Sequence, residues 1–312
     1  MNNLGNKELK LGIIGLSAGN GHPYSWSAIF NGCDMDYMKD CGFPVIPDYL
    51  SKQKFPDDCI PNAHVTHIWT QDRKVSEHVA KASLIPNVVD KMEDLIGQVD
   101  AVLLARDDPE NHFAMAKPFI EAGLPIYVDK PLAKTIREAE EIYALEKYPG
   151  QIFTCSALAY SDGLKLPDIG EIRHIQAFVI KDWKKYAIHV VEPALHLFDW
   201  KTEIVSHNVI ANETNKIVSL TWGNGMTSTF TTLYGADCGF RIQAFGTKGH
   251  AEVDFGGTFF MFRNALRQFT EIVRGNRPND SRAITMKAMD ILERGNAAEN
   301  GEAESFPLQR EK

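Results

Sequence analysis

The first half of the chain alternates short apolar runs with amphipathic stretches. Runs at 9–16, 64–70, 87–89, 100–105, 126–128 and 151–155 favour β-branched and aromatic residues and are bounded by Gly, Pro, Asn or Asp, which predicts strands. Between them apolar residues recur at helical spacing. Phe113, Ala116, Phe119 and Ile120 form one stripe over 109–122, and 24–30 and 136–145 carry others. Strand and helix in alternation through residue 155 predict a parallel, doubly wound sheet with right-handed crossovers. Residues 31–63 interrupt the alternation. Pro44, Pro47, Pro56 and Pro61 break any long helix there, and the segment reads as an insertion that either covers a ligand or pads the domain.

After residue 155 the rhythm changes. Runs at 172–183, 216–222, 226–234, 240–245 and 250–255 read as strands with few helices between, which predicts a second, largely antiparallel sheet. Stripes at 260–274 and 282–294 predict two helices that pack on this sheet or return to the first domain. The expected organisation is an α/β domain over 1–155 and an α+β domain with an open sheet over 156–312. A length of 312 residues with 44% hydrophobic content is enough for two cores.

Charge and cysteines narrow the partners. A net charge of -8 without any Lys/Arg cluster argues against nucleic acid. The first ten residues are polar, and no apolar run approaches a membrane span. Five scattered cysteines, without Cys-x-x-Cys spacing or a histidine at ligand distance, fit a cytoplasmic chain with free thiols and no structural zinc.

Candidate chemistry concentrates in three places. The run through Ile126 and Val128 ends in Asp129, Lys130 and Pro131, and the carboxyl ends of strands are where open α/β sheets bind ligands. Lys130 then stands at the mouth of a crevice, although a solvated Asp–Lys pair is the simpler alternative. At the first strand, Gly15-Leu-Ser-Ala-Gly-Asn-Gly21 leads into a helix, the arrangement that brings a pyrophosphate to backbone N–H groups. Its glycines are out of register for G-x-G-x-x-G, with Ser17 and Asn20 where glycine is usual, and Gly19 and Gly21 displaced. After the second strand, Asp72 suits ribose hydroxyls and favours NAD, Arg73 would admit a 2′-phosphate and hence NADP, and Asp72 is also a plausible helix N-cap. In the second half, His189, Glu192, His196 and Asp199 fall within an arc of about 80° on one helix, opposite Val191, Ala194, Leu195 and Phe198. Pro193 fits a first helical turn, which leaves His189 just before the helix. Glu192 and His196, one turn apart, suit a carboxylate-oriented imidazole base; a hydrated polar face is the alternative.

Taken together these motifs resemble the Gfo/Idh/MocA oxidoreductases of sugar and cyclitol chemistry. Asp129-Lys-Pro131 is similar to that family's Glu-Lys-Pro, and Glu192-Pro-Ala-Leu-His-Leu-Phe-Asp199 to its Asp-x-Gly-x-His-x-x-Asp. Ala122-Gly123 and Gly246-Thr-Lys-Gly249 resemble further landmarks in the same order. The resemblance implies an N-terminal Rossmann domain holding NAD, or NADP, and a C-terminal domain that contacts a sugar or polyol and forms a homo-oligomer through its sheet. Lys130 would bind the reacting oxygen, His196 would be general acid/base, Glu192 would orient it, and Asp199 and His189 would contact substrate. Gly15, Ser17, Gly19, Gly21, Asp72, Arg73, Arg106 and Asp129 would contact the cofactor. Two other readings stay open: a metal-dependent hydrolase or isomerase using His189, Glu192, His196 and Asp199 as ligands, and a non-catalytic nucleotide sensor of the same fold.

Overall fold

The computed structural model describes residues 7–297. In chain order it begins with β1 (Leu9–Ile14), α1 (His22–Asn31), α2 (Met35–Met38), α3 (Val45–Leu50), β2 (Ala63–Trp69), α4 (Arg73–Ala82) and β3 (Asn87–Val88). It continues with β4 (Ala101–Leu104), α5 (His112–Glu121), β5 (Ile126–Val128), α6 (Ile136–Tyr143) and β6 (Ile152–Phe153). The six strands pair in parallel in the order β3-β2-β1-β4-β5-β6. Chain order reverses direction between β1 and β4, so their carboxyl ends flank the switch point at which open α/β sheets take ligands. The central strands are buried on both faces. Leu11, Ile13, Leu103, Leu104, Ile126 and Val128 are all at 0% exposure, which is why these segments read as unbroken apolar runs.

The second half holds β7 (Ile172–Ile180), α7 (Trp183–Tyr186), α8 (Ile188–Leu195), β8 (Ile204–Ala211), β9 (Asn215–Trp222), β10 (Thr227–Leu233), β11 (Arg241–Gly246) and β12 (Gly249–Glu252). Two long helices follow, α9 (Thr258–Val273) and α10 (Arg282–Ala297). The second sheet runs β12-β11-β7-β10-β9-β8, antiparallel except for β7 against β10. Along β7, Ile175, Ala177 and Val179 are buried, and α8 packs on β7 and β11. His174, Gln176 and Phe178, on the opposite face, stay half-exposed.

The chain divides into two compact units, 1–162 with 255–285, and 163–254 with 286–312. Of the two late helices, α9 belongs to the first unit and packs on α1 and α3. Residues 31–63 are an ordered layer on α1. Phe43 and Ile46 press against Gly21, where an added Cβ would lie 2.6 Å and 2.5 Å from their side chains, so that glycine is required by packing.

Three local expectations are corrected. Strand β8 adds to the expected strands; as an edge strand it lacks a clean alternation of buried and exposed positions. Strand β7 stops at Ile180, since Lys181 turns the chain at φ 65° and Trp183 begins a helix. Helix α8 starts at Ile188, with His189 on it and Pro193 inside it, not in its first turn. It ends at Leu195, so His196 is its C-cap and Asp199 lies beyond; the four polar residues do not share one helical face.

Candidate active site

In the first unit, the carboxyl ends of β1, β4 and β5 bring together side chains far apart in sequence. The Lys130 ammonium lies 3.6 Å from Asp107 Oδ2, with the two side chains 7% and 6% exposed. Ser17 Oγ donates to Asp107 Oδ1 at 2.8 Å and accepts from the Asp107 N–H at 3.2 Å. Just past the end of β5, Asp129 accepts from the Lys130 N–H at 2.8 Å through Oδ1. Its Oδ2 meets Asn20 Nδ2 at 2.9 Å and His22 Nδ1 at 2.6 Å. Two buried carboxylates, an ammonium and an imidazole are thus tied into one group by hydrogen bonds and an ion pair, which is how buried charge is tolerated.

The scaffold beneath this group is aromatic. His22 stacks on Trp26 at 5.0 Å and Trp26 on Tyr127 at 4.7 Å; Tyr127 meets Phe153 edge-on at 4.9 Å and lies 5.7 Å from Phe269. The column joins α1, β5, β6 and α9 and fixes the end of β5 from below. Burial pushes the Tyr127 phenol well above its ordinary range, so it serves as a neutral partner of Cys155 Sγ at 3.0 Å. From the other side, the fully buried His112 imidazole bridges the carbonyls of Arg106 at 2.8 Å and Leu132 at 2.9 Å, linking the exit of β4 to the segment after Pro131.

The glycine loop is held by its own side chains. Gln71 accepts from the Leu16 N–H at 3.0 Å and donates to the Leu16 carbonyl at 2.7 Å. Gly15, at φ 151°, approaches the Ala105 carbonyl so closely that a Cβ would lie 2.7 Å from its oxygen. At the tip, Ala18 and Gly19 are exposed, Gly19 is left-handed at φ 77°, and nothing lies within 4 Å of the place a Cβ would take. Their N–H groups have no acceptor among the described residues, and the first turn of α1 carries no acidic residue. Open amides at the tip of such a loop suit a pyrophosphate. The residues present therefore fit a dinucleotide.

Several residues expected at the cofactor also make internal contacts. Ser17 and Asp129 belong to the network above, and Gly21 is filled over by the insertion. Arg106 donates to both oxygens of Asp108; burial opposes the charge of that carboxyl, but the bonds from Arg106 and Asn111 hold it below the usual range. Arg73 is exposed and paired with Glu77 and Asp90. Asp72 caps α4, accepting from the Lys74 N–H at 2.8 Å through Oδ1, and Oδ2 makes no hydrogen bond among the described residues. Asn20, His22 and Asp107 were missed by sequence reasoning. The legible signals were the Asn-Gly-His-Pro start of α1 and the acid pair that closes β4.

In the second unit, Glu192 is 4% exposed on α8. His196 borders a hollow of about 250 Å³ with Leu164, Pro167, Asp168, Ile169 and Leu197. Its outer edge is exposed, yet surrounding chain desolvates the ring enough to hold the imidazole below the ordinary histidine range. His189 lies 5.0 Å from the Phe240 ring, and exposed Asp199 accepts from the Lys201 N–H at 3.3 Å. No three His, Cys, Asp or Glu among the described residues form a group able to hold a metal, so the four-ligand metal reading loses its basis.

A parallel sheet in this strand order, with a glycine turn at its switch point, defines a dinucleotide-binding Rossmann unit. Residues 47–156 match the Gfo/Idh/MocA family, described as an oxidoreductase family with an NAD-binding Rossmann fold. The oxidoreductase YceM of Salmonella typhimurium is 32% identical over 77 residues, 25% of this chain and 24% of that protein. YhhX of Escherichia coli, also described as an oxidoreductase, is 27% identical over 123 residues, 36% of this chain and 35% of that one. The chain thus aligns with only about a quarter to a third of these relatives' length. Among solved structures, myo-inositol dehydrogenase from Lactobacillus casei in complex with NAD(H) and myo-inositol superposes with TM-score 0.73 at 14% identity, over 97% of this chain and 98% of that one. UDP-N-acetylglucosamine 3-dehydrogenase GnnA from Acidithiobacillus ferrooxidans does so with TM-score 0.68 at 15% identity, over 93% and 97%. These likenesses show that both units share the fold of those chains.

Proposed function

We propose that this chain is an NAD(P)-dependent oxidoreductase that moves a hydride between a nicotinamide cofactor and a CH–OH carbon of a sugar, cyclitol or related polyol. The observation that carries the reading is Lys130, an ammonium held by a buried carboxylate at the carboxyl end of β5, beside the switch point where a dinucleotide would lie. Myo-inositol and a nucleotide sugar, named for two structural neighbours, support that substrate class.

When bound, the dinucleotide supplies the ring that gives or takes the hydride. The chain supplies position and proton handling. The Ala18 and Gly19 amides hold the phosphates, and Asp72 Oδ2 is available to a ribose hydroxyl. Lys130 donates to the reacting oxygen and stabilises the charge that develops there, while Asp107 keeps the ammonium aimed. In the second unit, His196, whose imidazole desolvation holds below the ordinary histidine range, is the candidate acid/base group, with buried Glu192 as its orienting residue. His189 and Asp199 contact substrate.

Two further points belong to this reading. The half-exposed face of the second sheet, with Phe178, Gln176 and Phe245, serves as the contact between copies in a homo-oligomer. The chain works in the cytoplasm, in keeping with five free thiols and with the absence, among the described residues, of any helix long and apolar enough to cross a membrane.

The test is calorimetric titration with NAD⁺ and NADP⁺, followed by turnover on a panel of inositols, hexoses and nucleotide sugars. Binding with turnover that Lys130→Ala abolishes supports the reading. Binding without turnover on any member of the panel supports a nucleotide sensor, and no binding removes the dehydrogenase altogether.

A further inference from the structure

We propose that His22, oriented by Asp129, is a second proton-accepting residue of this site, housed in the same unit as Lys130. The inference rests on the dehydrogenase reading and adds a residue to it.

Asp129 is 1% exposed and takes three donors: the Lys130 N–H at 2.8 Å, Asn20 Nδ2 at 2.9 Å and His22 Nδ1 at 2.6 Å. A carboxylate so loaded is an acceptor, so the hydrogen at His22 must sit on Nδ1. Nε2 of the neutral ring then carries the open lone pair. It has no partner among the described residues, and the ring retains 18% exposure. Stacking on Trp26 at 15° between planes and an edge contact with Phe262 fix the ring plane, so the lone pair has a set direction. Of the elements packed on the ring, β5 brings Asp129 and, next to it, Lys130; α1 and α9 bring only the uncharged Trp26 and Phe262.

The arrangement does what a carboxylate does for a catalytic imidazole elsewhere: it fixes the tautomer and stabilises the imidazolium that forms. A CH–OH group oxidised by a dinucleotide gives up a hydride, to the nicotinamide, and the hydroxyl proton. That proton passes to His22 Nε2, the imidazolium is held by Asp129, and the exposed edge of the ring returns the proton to water. Lys130, engaged with Asp107, keeps its protons and remains the oxygen's hydrogen-bond donor. One carboxylate bonded to both the Lys130 N–H and the imidazole makes the two positions a single unit.

The decisive experiment is ¹⁵N NMR of the full chain with labelled histidine, with and without NAD⁺ as probe. The expected result is a His22 ring protonated at Nδ1 and bare at Nε2 near neutral pH, its bonded proton far downfield. Asp129→Ala should erase that signal and release the tautomer. A ring protonated at Nε2, or one indifferent to Asp129→Ala, overturns the proposal. If Asp129→Ala unsettles the fold, His22→Gln serves instead: it should leave the NAD⁺ dissociation constant within about twofold, lower kcat by about 10² and flatten the acidic limb of the kcat profile. Unchanged kcat and pH profile would also overturn it. Absence of turnover in the parent chain counts against the dehydrogenase reading itself, whereas a wrong tautomer with intact turnover removes only His22.

Discussion

The strand ends of the first unit and helix α8 of the second both carry acid, base and imidazole, yet they were built by different rules. Lys130, Asp107 and Ser17 come from three loops that leave adjacent parallel strands, and sheet register brings them together. On α8 the polar residues depend on where one short helix begins and ends. That helix starts at Ile188, tolerates Pro193 in its interior and is finished by Leu195, so His196 and Asp199 fall off its face. A sheet edge converts sequence distance into contact robustly; a motif spread over a helix terminus is at the mercy of one turn.

The largest effect expected from breaking that contrast is at Lys130. Lys130→Ala should lower kcat by about 10³ or more, since it removes the oxygen's donor, while the NAD⁺ dissociation constant stays within severalfold. His196→Gln should cost about 10², the scale of a single acid/base group. Equal losses would show that the two regions contribute alike, and a kcat unmoved by Lys130→Ala would end the strand-end assignment.

Next in size is the ion pair. Asp107→Leu removes the carboxylate beside the buried Lys130 ammonium and should destabilise the chain by about 3 kcal/mol, read from denaturant unfolding. A change below about 1 kcal/mol would mean that groups other than Asp107 hold the ammonium. Gly15→Ala should follow at about 2 kcal/mol, because the Cβ meets the Ala105 carbonyl oxygen at 2.7 Å and φ is 151°. Loss of stability without loss of NAD⁺ affinity would assign Gly15 to sheet packing alone.

Both sheets were legible from periodicity because their central strands are buried on one or two faces and so carry an unmistakable pattern. Strand β8 was not, since an edge strand has too few buried positions to alternate. Lys130 and Asp129 were legible as a strand end. The network around them was not, because it is tertiary: Asn20 lies 109 residues from Asp129 and Ser17 90 from Asp107. The misregistered glycines were legible as a departure, and the structure supplies its cause. Ser17 and Asn20 moor the loop to carboxylates, and Gly21 makes room for Phe43 and Ile46.

Asp72 sharpens the comparison at a smaller scale, being both a helix cap and a candidate ribose contact. Asp72→Ala should cost about 1 kcal/mol of stability through the lost bond to the Lys74 N–H. If Oδ2 also holds a ribose, the NAD⁺ dissociation constant rises about tenfold, a further 1.4 kcal/mol. Stability loss alone would leave Asp72 a cap and nothing more.

The gentlest lever is pH, and it separates the two units. Burial holds three imidazoles below the ordinary histidine range: His67 in the first unit, His174 and His196 in the second. A histidine whose folded value is depressed binds its proton more readily when unfolded, so folding stability is full above the unfolded value of about 6.5 and declines as pH falls below it. All three side chains retain some solvent contact, which keeps the decline shallow. With two of the three in the second unit, that unit should loosen first on acidification. Hydrogen exchange at pH 7.5 and 5.5 checks this: amides of β7 and β10 should lose more protection than those of β1 and β4, and His174→Asn should narrow the gap. Greater loss in the first sheet would mean that its strand-end carboxylates, not the buried imidazoles, set the acid limit of the fold.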